Sequence, residues 1–306
     1  MSCIPLIWSP STADALDSTW IVCVIAIIIH TLFWIQILIF PTLKQRSMIW
    51  LYDYLISDLF LLIRFFILYG IRREQLCLDP TFRTFVCYFE ATSKFYMNVV
   101  QAYLLLALNI SRYAQIVHNR NVYVENSRLL ILTHVLILIL PIVNVVVQFL
   151  ANWTLLWRRT GAACDVQYIS FTVQVFNLFL IYIIPVTSNL FILTLCIRHV
   201  SSTRGVTSEQ IISLRRKHQR TLLYPTLVFY SIWLTLWSPN VLAFQFINVN
   251  SDSGIYTSLL NYVEIAIDPA IVAVIDVRFL KTWQTLWRKI RRKRQGTVVP
   301  VVLEHQ

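Results

Sequence analysis

Residues 129–151 read LLILTHVLILILPIVNVVVQFLA, a run without a single Asp, Glu, Lys or Arg. Crossing the hydrocarbon core of a bilayer takes about 20 apolar residues of helix, so this stretch predicts a transmembrane helix. Residues 18–40, 166–197 and 221–251 are also free of charge and long enough to cross. Three further apolar stretches carry isolated charges: about 50–70 (Asp53, Asp58, Arg64), about 86–113 (Glu90, Lys94, Arg112) and about 255–276 (Glu264, Asp268, Asp276). All seven are expected to be helical, because backbone facing lipid must satisfy its own hydrogen bonds. No internal repeat or low-complexity tract divides the chain.

Composition agrees. Of 306 residues, 57% are apolar and 13% charged, against about 25% charged in soluble domains; the mean hydropathy is +0.64. These values exclude a soluble enzyme, a secreted disulfide scaffold and a disordered tail. The net charge of +11 does not point to nucleic acid, because in a membrane chain the placement of charge outweighs its sum. With the amino terminus outside, inner segments hold nineteen Lys and Arg and outer segments five. That bias predicts an outer amino terminus and a cytosolic carboxyl terminus. The expected organisation is an outer tail over 1–17, a membrane bundle over 18–277 and a cytosolic segment over 278–306. Residues 1–17 show no basic n-region and no clear cleavage site, so no signal peptide is expected.

The fold expected is an all-α membrane protein, a seven-transmembrane helix bundle with a short cytosolic amphipathic eighth helix. In the last segment Phe279, Leu280, Trp283, Leu286, Trp287 and Ile290 recur at helical spacing among Lys281, Arg288, Lys289 and Arg291 to Arg294. Such a helix suits an inner leaflet with anionic lipids, making membrane lipids a partner.

In this topology Cys3, Cys77, Cys87 and Cys164 are outside, where oxidation is possible, and Cys23 and Cys196 are within spans. Four outer cysteines allow three full pairings, and spacing does not choose among them. Asn152-Trp153-Thr154 is the outward-facing glycosylation sequon, and the polar-ended loop from Asn152 to Gln167 suits a hairpin lid.

Charges inside a membrane are costly and usually face the interior. Cys87, Glu90, Lys94, Asn98, Gln101, Leu105, Leu108 and Arg112 are spaced by threes and fours, one stripe down the third span. Its outer part, with Arg64, is expected to line a cavity; Glu90 with Lys94 is the bland structural alternative. Glu264 and Asp268, four apart, share a face, and Asp58 supplies a third acid. Carboxylates that close in a low dielectric do not easily all ionise. A proton, a cation such as Na⁺, or a neighbouring Arg must offset them, with Gln101 beside the group. No resident cofactor is expected apart from that ion.

In order along the spans, the chain resembles a rhodopsin-like (class A) G-protein-coupled receptor. Ser111-Arg112-Tyr113 is similar to the family's Asp-Arg-Tyr motif, and Cys87 lies 25 residues earlier, like its bridging cysteine. Trp237-Ser238-Pro239 resembles Cys-Trp-x-Pro, with Leu236 for Cys. Asp268-Pro269 resembles the start of Asn/Asp-Pro-x-x-Tyr, Pro185 the fifth-span proline, Asp58-Leu59 the second-span Asp-Leu pair and Phe279 the helix-eight aromatic. The resemblance implies a Cys87–Cys164 bridge, switch or bend positions at Pro185, Trp237, Pro239 and Pro269, and coupling to a heterotrimeric G protein through Arg112, Tyr113, Arg215, Arg216, Lys217 and Arg220. It implies an extracellular ligand at Arg64, Glu90, Lys94, Asn98 and Trp237. Lys94 stands where aminergic members carry Asp, which points away from an amine and toward a peptide or a small anionic or mixed-charge molecule.

The departures are as specific. Ser111 replaces the acid before Arg112, Val272 the seventh-span tyrosine and Leu193 a fifth-span one; His30 and His134 sit where Asn and Trp are usual. Gln219 offers no carboxylate to Arg112, so an ionic resting latch is not expected and basal activity is.

Competing classes fare worse. A retinal protein needs a lysine in the seventh span, and 255–277 has none; a metal hydrolase needs a His and acid cluster, and only His30 and His134 lie in spans. No enzyme is expected. The alternative is an ion channel or transporter using Asp58, Glu264 and Asp268, though repeated halves and broken helix pairs are lacking.

Overall fold

The protein is described here as a computed structural model covering residues 8, 10–118, 122–157, 163–202, 209–246, 251–275, 278–282, 284, 285, 287 and 288. Its helices, in chain order, are α1 (Pro10–Ile39), α2 (Ile49–Arg73), α3 (Pro80–Val117), α4 (Val122–Glu125), α5 (Ser127–Leu150), α6 (Phe171–Leu178), α7 (Ile184–Ser202), α8 (Glu209–Phe246) and α9 (Asp252–Ile275). Strands β1 (Thr154–Trp157) and β2 (Asp165–Tyr168) form an antiparallel hairpin, with Thr154 opposite Tyr168 and Trp157 opposite Asp165.

Local chemistry sets the ends. Asp79 caps α3 by accepting from the Thr81 N–H at 3.0 Å, with Pro80 in the first turn, where a missing N–H does no harm. Ser170 caps α6 in the same way. α5 ends on Asn152, whose φ of 55° reverses the chain while the Trp153 N–H returns to the Gln148 carbonyl at 2.9 Å. Between α6 and α7 the turn widens to a π-helical one over Phe179–Ile183, just ahead of Pro185. Proline lacks an N–H, and a wider turn is one way a helix passes it without a break.

α3 is the central element: it packs on α2, α5, α7 and α8, and on β2. α1 packs on α2 and α9, and α9 on α8. Of the described helices, the stretches Thr12–Ile39, Arg46–Arg73, Ser127–Leu150, Phe171–Val200 and Ser253–Val274 are long and apolar enough to cross a membrane, as in a multi-pass membrane protein. α3 and α8 are the longest, at 38 residues each. α5 buries only Ile137, Pro141 and Gln148 and exposes a broad apolar flank. That is stable where the surrounding solvent is as apolar as leucine.

The structure revises one boundary. Val166 to Tyr168, part of the charge-free stretch assigned to the fifth span, pair with β1, and the helix begins at Phe171. Backbone pairing with a neighbouring strand outweighs local hydropathy there. In the 278–288 segment, 278–282, 284, 285, 287 and 288 are helical, and Phe279 is buried and stacked on Phe33 at 5.0 Å. Trp283, Leu286, Asp276 and everything from Lys289 onward lie outside the described residues.

Candidate functional site

The α3 stripe read from the sequence faces inward throughout: Cys87, Glu90, Lys94, Asn98, Gln101, Leu105 and Leu108 are all buried, and Arg112 is half-buried. Three groups of side chains meet it at successive depths.

The outer group surrounds a cavity of about 100 Å³ whose walls include Arg64, Glu90, Lys94, Asp165, Ser258 and Tyr262. Arg72, at the last turn of α2, forms a salt bridge to Glu90, both side chains being almost fully buried. The same Glu90 oxygen accepts the Cys164 N–H at 2.9 Å, and Cys164 is disulfide-bonded to Cys87 across a Cα–Cα distance of 5.3 Å. The hairpin is thus tied to α3 by the disulfide and by a hydrogen bond to a carboxylate. Glu90 turns to Arg72 rather than Lys94, whose Nζ donates to Ser258 Oγ on α9 at 2.8 Å. Arg64 donates to Ser93 Oγ and to the Glu90 carbonyl, each at 2.5 Å. Trp8 closes one side, packing on Tyr69 and under the Arg72 guanidinium. Cys77 is also disulfide-bonded, while Cys3 lies outside the described residues. On the hairpin, burial pushes the Tyr168 phenol up. The sequon residue Asn152 is exposed at the turn before β1.

The middle group is the acid seam. Asp58 on α2 and Glu264 and Asp268 on α9 are fully buried. Tyr54 donates its single phenol proton toward Glu264 Oε1 and toward Asp268 Oδ2, the latter at 2.7 Å, and Gln101 Nε2 donates to Asp58 Oδ1 at 2.6 Å. Asp58 Oδ2, Glu264 Oε2 and Asp268 Oδ1 have no hydrogen-bond partner. Among the described residues no set of three or more His, Cys, Asp or Glu is arranged to hold a metal ion. His30 bonds the Ile265 carbonyl at 3.1 Å and so ties α1 to α9. An aromatic column on α8 flanks the seam: Tyr230, Trp233 and Trp237 stack in sequence, Trp237 continues onto Tyr182, and Phe229 meets Tyr54 edge-on. Trp237 and Asn98 are buried away from the outer cavity walls. Tyr54→Phe removes the one donor shared by two carboxylates. A loss of about 1–3 kcal/mol is expected for the orphaned acceptors, read as a lowered unfolding midpoint in nanodiscs. An unchanged midpoint would dismiss the shared bond as an energetic feature.

The inner group surrounds Arg112. Trp50 Nε1 donates to Ser111 Oγ at 3.0 Å, and the Trp50 ring stacks on His134 at 4.0 Å; His134 in turn bonds Asp53 at 2.5 Å. Arg112 donates to Gln115 Oε1 at 3.4 Å. Tyr123 of α4 is buried beside it; burial pushes its phenol up, while the Ser111 hydroxyl and the Arg112 charge pull it down. Tyr113 is half-buried. Pro239 and Pro269 lie within α8 and α9. The side chains of Arg215, Arg216, Lys217 and Arg220 lie outside the described residues, although the backbone there is helical.

Sequence reasoning overlooked Arg72, Tyr54, Trp50 and Trp233. Arg72 reads as a loop charge because it sits at a helix end. Tyr54 lies one turn before Asp58 on the same face, and that spacing is a usable signal.

No protein-family model matches the chain, and no curated protein matches it.

Proposed function

We propose that the chain is a rhodopsin-like seven-span receptor that binds an extracellular ligand in the outer cavity and activates heterotrimeric G proteins at the inner end of α3. In this reading α3 and α8 are the two further spans, the 278–288 segment is an eighth helix on the inner leaflet, and the protein sits in the plasma membrane with its amino terminus outside. One observation carries the reading. A single polar stripe on α3 runs from buried Glu90 and Lys94 at the outer cavity, through Gln101, which bonds Asp58 of α2 at the acid seam, to buried Ser111 and half-buried Arg112 at the other end.

The steps follow from the packing. A ligand that bears on α3 and α9, which Lys94 and Ser258 join, shifts their relative position. Phe229 on Tyr54 and the Trp233–Trp237 stack tie that shift to α8. Pro239 leaves one backbone carbonyl of α8 without a partner, making the helix easier to bend there. Movement of the inner half of α8 would open the surface around Arg112. A proton or a cation such as Na⁺ would offset the three acids, whose unpartnered oxygens are Asp58 Oδ2, Glu264 Oε2 and Asp268 Oδ1.

The test is expression in cells carrying second-messenger reporters for each G-protein class, without added ligand. Signal above untransfected controls is expected, and Arg112→Ala should bring it to the control level at unchanged surface abundance. A signal that survives Arg112→Ala would count against coupling through α3. The unpartnered carboxylate oxygens favour one competing reading, a channel or transporter with a proton or cation path. Whole-cell currents or uptake independent of G proteins would select it.

A further inference from the structure

Two cations line the outer cavity without a carboxylate bonded to either, among the described residues. Arg64 is held by Ser93 and by the Glu90 carbonyl, and Lys94 by Ser258. An ammonium has three donors and a guanidinium five, so both retain hydrogen-bonding capacity beyond these neutral partners. The other charges of the wall do not balance them. Glu90 is neutralised by Arg72. Asp165 is the one carboxylate whose charge acts on Lys94, and its Oδ1 is already engaged by the Val166 N–H at 2.8 Å. Among the described residues, Arg64 and Lys94 are therefore held by neutral groups only, in a place where a charge without a bonded counter-charge is expensive.

The rest of the wall is flat and apolar. Phe65 stacks on Tyr69 at 5.7 Å and meets Tyr262 at 5.1 Å, and Leu16 and Leu68 complete that side. The volume, about 100 Å³, is below the roughly 300–1,000 Å³ of sites that take drug-sized ligands. It is also below the ~150 Å³ of a cavity that takes up benzene, but the cavity is partly open, so a ligand seated in it extends out through the open side.

We propose that this cavity binds a small monocarboxylate carrying one flat aromatic group, its carboxylate bridging Lys94 and Arg64 and its ring among Phe65, Tyr69 and Tyr262. The inference rests on reading the cavity as the ligand site. One carboxylate gives both cations a bonded counter-charge, and a planar ring finds aromatic neighbours for offset or edge-on packing. The same charges reject amines, and a neutral amide of the same shape would leave both cations unanswered.

The experiment uses the full chain in nanodiscs, with saturation-transfer NMR and thermal shift. The probes are phenylacetate, 3-phenylpropionate and indole-3-acetate, each beside its primary amide, with phenethylamine as the cation. At least one carboxylate is expected to bind saturably, about tenfold or more tighter than its amide. Lys94→Met should weaken it about tenfold or more, while Lys94→Arg keeps most of the affinity. Equal binding of acid and amide would overturn the proposal. So would no binding by any of the three acids, or parental affinity in a Lys94→Met variant with parental melting. Should Lys94→Met not fold, the acid and amide comparison on the parent chain decides alone. Carboxylate binding with no second-messenger response in any reporter would sink the receptor reading and leave this inference standing; signalling without carboxylate binding would do the reverse.

Discussion

Arg72→Leu is expected to destabilise the protein by about 3–5 kcal/mol, the cost of leaving one member of a buried ion pair uncompensated. Both side chains of the Arg72–Glu90 pair are almost fully removed from solvent, and Glu90 also receives the Cys164 N–H. Removing the guanidinium strands a carboxylate beside α3 and withdraws the electrostatic support of the hairpin. The measurement is the unfolding midpoint together with surface abundance in cells, and both should fall sharply. The double variant Arg72→Leu, Glu90→Leu separates causes. Apolar replacement of both partners of a buried pair is often neutral or stabilising, so most of the loss should return. A residue of about 1–3 kcal/mol should persist, because the Cys164 N–H then lacks its acceptor. If the double variant is no better than the single, the pair is not what holds this corner.

Cys87→Ala is expected to cost about 2–5 kcal/mol. The bond joins positions 77 residues apart in sequence, so its loss frees a long stretch of the unfolded chain and lets the hairpin leave α3. Cys164→Ala should match it, and the double variant should be no worse than either single, since all three remove one and the same bond. Additive losses would mean that the two side chains act by packing and not through their link. Cys23 and Cys196, free and buried, make suitable control positions.

Hydropathy alone located the helices but could not tell which side of each faces the interior. In water an apolar face marks the core, whereas in lipid the outside of a helix is as apolar as its inside. α5 shows the problem: Leu129, Ile131, Leu140 and Leu150 are all exposed, and nothing in their identity separates them from buried Ile137. Polar residues break the tie, because only they are penalised by lipid. Glu90, Lys94, Asn98 and Gln101 thus placed the inner face of α3 from spacing alone. Partners were harder to read. Arg72 pairs with Glu90 over 18 residues and Tyr54 bonds Asp268 over 214; such pairings depend on how helices are arranged in space, which no local pattern encodes. The hairpin was legible from the polar ends of its loop, but its second strand was hidden inside a charge-free run, because strand pairing there is decided by the opposite strand.

The bond from the Trp50 indole to Ser111 joins two groups that carry no net charge at any pH a cell encounters. Coulombic fastenings weaken as counter-ions crowd round them or as acid titrates one side. A tie between an uncharged donor and an uncharged acceptor is indifferent to both. Salt and acid should therefore reach that fastening only through its neighbour, the His134–Asp53 pair on which the indole ring lies.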